Sequence, residues 1–119
     1  MAIVFSLVVL VPASWGLRRI WPAKGLNWVD SQTWKEAIDR NSEMKLLDVR
    51  DAMDYEACHV NGSINISLGR LPVLWKKELS PEDSVLIIAD GDYERRSAAR
   101  ILRRRGFRKL YTGEGKGCA

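Results

Sequence analysis

The chain has two thiols, Cys58 and Cys118, and one imidazole, His59. A thiolate both attacks an S–S bond and carries the sulfur away covalently, so these two positions bound any sulfur chemistry. Without a Cys-x-x-Cys pair, and with a single histidine, the usual ligands of a disulfide scaffold or a zinc site are missing. No metal and no cofactor is implied. Cys58 and His59 are neighbours in sequence, but adjacent helical residues do not face each other, so the two side chains need not meet. Cys58 reads more simply as a small core filler. Cys118 is the penultimate residue of a Gly-rich tail. It is expected to be exposed, with redox or sulfur-carrying chemistry as its candidate role.

The second constellation is Asp90-Gly91-Asp92-Tyr93-Glu94-Arg95-Arg96. Three carboxylates within five residues disfavour a bound anion at close range, and Arg95 and Arg96 partly offset them or pair with them. Asp90-Gly91-Asp92 has a superficial likeness to the D-x-D loop of Mg²⁺-dependent aspartyl-phosphate phosphotransferases. Matches of three residues arise often by chance, and no second acidic cluster or lysine is arranged to support this one. Asp48 and Arg50 form a third pair, placed either to lock a loop or to face a substrate.

These residues need elements to position them. At 119 residues, 46% hydrophobic and 29% charged, the chain is expected to hold one domain with at most an appendage. Such a composition excludes a disordered acidic tail and a multi-span membrane protein. Residues 1–17 carry no charged side chain and precede Arg18 and Arg19. Residues 1–21 therefore read as an apolar helix and membrane anchor, with the positive-inside tendency placing the domain in the cytoplasm. A cleaved signal leaving a periplasmic or secreted domain is the alternative, as is a buried segment of the domain. Residues 22–25 read as a linker and residues 26–119 as the domain.

Strand and helix signals alternate through that domain. Strands are expected at Asn27–Val29, Lys45–Val49, Ser63–Ile66, Ser84–Ala89 and Phe107–Tyr111. Asp30 or Ser31 can cap a helix carrying Trp34, Ala37 and Ile38. Further helices are expected at Ala52–Cys58, Leu71–Leu79 and about Arg95–Arg105, the last stopped by Gly106. Val85-Leu86-Ile87-Ile88-Ala89 does not alternate with polar residues, as a central parallel strand covered on both faces requires. The pattern specifies a small α/β fold with a mostly parallel sheet, whose ligands gather at the carboxyl ends of the strands. That rule singles out Asp90–Arg96.

Leu46-Leu47-Asp48-Val49-Arg50, Asp54-Tyr55 and His59-Val60-Asn61-Gly62-Ser63-Ile64-Asn65-Ile66 form an ordered series. It continues through Ser84–Ile88, Arg96-Ser97-Ala98-Ala99, Leu102, Gly106-Phe107 and Gly113-Glu114-Gly115. The series resembles rhodanese-like domains over residues 26–117, and the N-terminus resembles that of membrane-anchored members. The resemblance implies a five-stranded parallel sheet flanked by helices and a loop whose backbone N–H groups, with the following helix N-terminus, cradle an anion. It also implies that active members load a cysteine in that loop with sulfane sulfur and pass it on as a persulfide. Counted back from Arg96, that cysteine falls at Gly91 or Asp90, and neither is a thiol. Asp48, Arg50, His59, Gly62 and Asn65 match structural positions of the family motif. Gly62 is expected to supply a turn with positive φ, and Asn65 a hydrogen bond tying neighbouring loops.

The basic excess is concentrated. Residues 90–110 hold eight cations against three carboxylates, whereas the rest of the chain is nearly balanced. Arg96, Arg100, Arg103 and Arg104 fall near one helical face, which either is simply solvated or rests on anionic lipid. Nucleic acid is not an expected partner, because no aromatic platform interleaves with the arginines. The expected function is that of a non-catalytic binding or regulatory module for a protein or anionic ligand, held at the membrane. The alternative is a thiosulfate or persulfide sulfurtransferase that uses Cys118 or Cys58 as its sulfur carrier.

Overall fold

The computed structural model describes residues 25–39 and 44–113. The expected apolar helix, linker residues 22–24 and Cys118 lie outside those residues; Gly25, the last linker position, is described. Among the described residues, no helix is long and apolar enough to cross a membrane.

Five strands form one sheet, β1 (Leu26–Trp28), β2 (Lys45–Asp48), β3 (Ile64–Asn65), β4 (Ser84–Ile88) and β5 (Lys109–Thr112). Their order is β1-β5-β4-β2-β3, and every pairing is parallel. The helices between them are α1 (Ser31–Asp39), α2 (Ala52–Ala57), α3 (Leu71–Glu78) and α4 (Asp92–Arg104). This is the small α/β fold with a five-stranded parallel sheet flanked by helices.

The unbroken apolar run of β4 reflects burial on both faces. Val85, Ile87 and Ala89 pack with Ala98, Ala99 and Leu102 of α4, and with Leu71, Leu79 and Phe107. Leu86 and Ile88 point the other way, against Trp34 of α1. Successive strand residues alternate faces, so only a strand sandwiched between helices reads as continuously hydrophobic. Thr112, fully buried on β5, donates its hydroxyl to Ile87 O at 2.9 Å, so its own polar group is satisfied.

Local chemistry sets the helix ends. Asp30 caps α1, its Oδ1 accepting the Thr33 N–H at 2.7 Å. Gly106, at φ +98°, ends α4. Its N–H reaches Arg103 O and the Phe107 N–H reaches Leu102 O, a Schellman arrangement in which Phe107 and Leu102 share the core.

One boundary differs in a way that matters for the site. The helix expected from about Arg95 begins at Asp92, with Gly91 as its N-cap and Asp92 and Glu94 in its first turn. Carboxylates in a first turn are favoured by the partial positive charge of the helix N-terminus, so residues that read as polar loop are helical.

Candidate functional site

The carboxyl ends of β2, β3 and β4 converge on one side of the sheet, as parallel register requires: Asp48 is level with Asn65 and with Ile88. Two arginine-centred clusters stand there. In the first, Asp48 is 0% exposed and Arg50 nearly as deep. Arg50 Nε donates to both carboxylate oxygens at 3.1 Å, and Nη2 to Oδ2 at 2.9 Å and to Cys58 O at 2.6 Å. The Arg50 backbone N–H adds a bond to Oδ1 at 2.9 Å. The hydrogen bond to Asp48 is the main reason the guanidinium sits above its ordinary pKa; burial opposes it, and the charges of Asp48, Asp90 and Asp54 add to it. Asn65 Nδ2 donates to Asp48 O at 3.1 Å and to Arg50 O at 3.0 Å, joining β3 to the β2 loop. Gly62, at φ +86°, turns the chain so that Ser63 N–H meets Val60 O at 3.0 Å.

The Cys58–His59 pair does not converge. The His59 ring stacks on Tyr55 at 3.9 Å, and its Nδ1 lies 2.7 Å from Tyr55 O. Cys58, half-buried just past α2, is disulfide-bonded, so it is not the free core filler expected from sequence. No free cysteine stands among the described residues.

The second cluster lies beyond β4. Arg95, 4% exposed, donates Nη2 to Ala89 O at 3.0 Å and Nη1 to Asp92 Oδ1 at 3.1 Å. Its guanidinium also stands 5.8 Å from the centre of the Trp28 ring, within cation–π range. Its buried Nε has no hydrogen-bond partner. Asp92, by contrast, keeps 67% of its side chain in solvent. Asp90 and Tyr93 are exposed and Gly91 half-buried. A Cβ on Gly91 would lie 2.5 Å from Glu94 Oε2, so that carboxylate occupies the space where a side chain at position 91 would begin.

Arg96, from which the loop spacing was counted, points to solvent, and the buried cation is Arg95. With α4 beginning at Asp92, residues 95, 98, 99 and 102 form the buried stripe, while Arg96, Arg100 and Arg103 lie on exposed positions. The sequence signal was the acidic first turn. Taken as a helix start, it would have put Arg95 inward. Trp28 had no such signal.

A shallow cavity of about 250 Å³ adjoins the first cluster, lined by Asp51, Ala52, Asn65, Ile66, Ser67, Arg70 and Leu74. It lies past β3, at the far side of β2 from the Asp90 loop.

Comparison with known proteins agrees with this geometry. The family model described as Rhodanese-like domain matches residues 30–115. The chain belongs to the rhodanese-like domain family. The "Putative sulfur carrier protein YrkF" of Bacillus subtilis (strain 168) is 28% identical over 88 residues, which are 74% of this chain and 47% of that protein. The chain thus spans about half the length of that relative. Among solved structures, the Alr3790 protein from Anabaena sp superposes with a TM-score of 0.68 at 22% identity, over 74% of this chain and 71% of that one. A rhodanese-related protein from Thermoplasma volcanium gives 0.63 at 21% identity, over 75% and 85%. At such identities the two structures speak for the fold.

Proposed function

We propose that this rhodanese-like domain is a non-catalytic binding or regulatory module, held at the membrane by residues 1–21. The observation that carries the reading is the filled loop beyond β4. The two positions that the family's spacing offers a nucleophile are Asp90 and Gly91. The protein's own groups take the place of both thiolate and anion: the Glu94 carboxylate stands against Gly91, and the Arg95 guanidinium is committed to Ala89 O and Asp92. A second anion brought to the α4 N-terminus would meet three carboxylates at close range.

Transfer of thiosulfate sulfur to cyanide tests the reading directly. The full chain is expected to show no turnover above the uncatalysed rate, with or without a reductant. Gly91→Cys combined with Glu94→Ala restores a thiol and clears its space, so turnover gained by that variant would show that the missing sulfur atom is what silences the loop. Turnover by the unmodified chain overturns the proposal.

A sulfur-carrying role for Cys58 or Cys118 is the second reading, favoured by the name of the Bacillus relative. It requires the Cys58 disulfide to be reduced first. A persulfide mass increment on either cysteine, found only after reduction and abolished by Cys58→Ser or Cys118→Ser, would favour it.

A further inference from the structure

The pole of the sheet opposite the site carries a different charge pattern. Arg103, Arg104, Arg105, Arg108 and Lys109 fall within seven residues, and no Asp or Glu occurs from Arg95 to Gly113. All five cations are exposed. Arg103 and Arg104 close α4, Arg105 and Arg108 lie in the turn that follows, and Lys109 opens β5. Arg105 reaches Pro72 O at 3.3 Å, but no ion pair to any of the five exists among the described residues. Glu82 and Asp83 belong to the approach to β4, and Asp83 is paired with Lys45 at 3.6 Å.

The same pole is where the described chain begins. Leu26 is in register with Leu110, so Gly25 stands level with Lys109 one strand away. A Cβ on Gly25 would lie 3.6 Å from Arg103 Nε. The segment that precedes Gly25 holds seventeen uncharged residues followed by Arg18 and Arg19. Residues 18–24 alone separate that uncharged run from this pole.

We propose that the cluster Arg103, Arg104, Arg108 and Lys109, beside the chain's entry at Gly25, is a docking surface for the anionic headgroups of the lipid leaflet that holds the apolar segment. This set differs from the helix face named from sequence. Arg96, two residues beyond Glu94 near the start of α4, lies toward the opposite end of the helix and takes no part; Arg108 and Lys109, beyond the helix, do. Charge complementarity favours phosphatidylserine-type lipid over a neutral one, each basic residue at such a surface contributing about fivefold in partition. The proposal rests on the reading of residues 1–21 as an anchor and is indifferent to the chemistry of the Asp90 loop.

The test uses the full chain with vesicles of pure phosphatidylcholine and of phosphatidylcholine containing phosphatidylserine. Co-sedimentation reports the anchor, and amide hydrogen exchange of residues 103–109 reports the pole. With the chain bound to both vesicles, exchange in that stretch is expected to be at least about fivefold slower on the anionic ones and to recover in high salt. Residues 51–58, at the opposite pole, should not change. Arg103 and Arg104 also complement the α4 dipole, so the decisive variant is Arg108→Gln with Lys109→Gln, which leaves the helix intact and should markedly shrink the difference. Equal exchange on both vesicles overturns the proposal. Sedimentation with anionic vesicles alone, lost in the variant, supports the docking surface and removes the anchor. Sedimentation with neither removes both. Binding to polyglutamate or single-stranded RNA through Arg108 and Lys109, with no response to vesicles, assigns the pole to another polyanion and overturns it as well.

Discussion

The two arginine clusters at the carboxyl ends of the strands use one device with different degrees of closure. Arg50 and Arg95 are both buried, and each donates to a carboxylate and to a backbone carbonyl. Around Arg50 the carboxylate is itself fully buried and accepts four hydrogen bonds. Around Arg95 the carboxylate is two-thirds in water, and the arginine keeps an unpartnered Nε. A closed network of this kind holds a loop in one shape, because removing any member strands a charge in low dielectric. An open one can lose a member to solvent. The first cluster therefore positions the β2 and β3 loops, and the second ties the start of α4 to the end of β4 while leaving its acid in water.

Arg50→Met should break the comparison most visibly. It leaves Asp48 buried without its cation, and a loss of about 3–5 kcal/mol is expected from chemical denaturation. The same substitution at Arg95 leaves Asp92 free to take up water and deletes the unpaired Nε. The remaining loss is the bond to Ala89 O and the contact with Trp28, about 1–2 kcal/mol together. Equal losses at the two positions would mean that the second cluster is as closed as the first.

The legible and illegible parts of the molecule divide on physical lines. The β4 run announced a strand covered on both faces because nothing polar interrupts it, and the ordered motif series brought the five-stranded sheet with it. Gly106 marked the end of α4 because a positive φ is cheap only for glycine. The start of the same helix is less legible, because Asp92, Tyr93 and Glu94 are polar enough for a loop and only the first-turn preference for carboxylates marks them as helical. Those three residues decide the inward turn of Arg95. The depth of Asp48 was not readable either. An acidic residue at a strand end is ordinarily exposed, and only Arg50, itself held by the Cys58 carbonyl, makes its burial tolerable. The small size of β3, two residues long, follows from its edge position, since the Asn65 bonds to Asp48 O and Arg50 O do work that a longer ladder would otherwise do.

Asp92→Asn sharpens the comparison from the solvent side. It removes the charge of a pair whose acid partner is mostly hydrated, so the change should be within about 1 kcal/mol. A double-mutant cycle with Arg95→Met would give the coupling energy. Coupling well above the range of exposed pairs would show that Asp92 is held more rigidly than its exposure implies.

The smallest expected effect comes from Asp30, an exposed carboxylate outside both clusters that calibrates how far pH alone can act. The Thr33 backbone N–H, followed by the Thr33 hydroxyl, holds Asp30 below its ordinary pKa. A folded value below the unfolded one means that the stabilisation is complete above the ordinary value, about 4, and drains away as pH falls through the lower folded value. Asparagine keeps an N-cap acceptor and loses only the charge. The wild-type melting temperature should therefore exceed that of Asp30→Asn slightly at neutral pH, and the gap should narrow only once the pH passes below the ordinary carboxylate range. A gap that stays constant from pH 7 to about pH 3 would mean that the helix N-terminus senses the shape of the cap and not its charge.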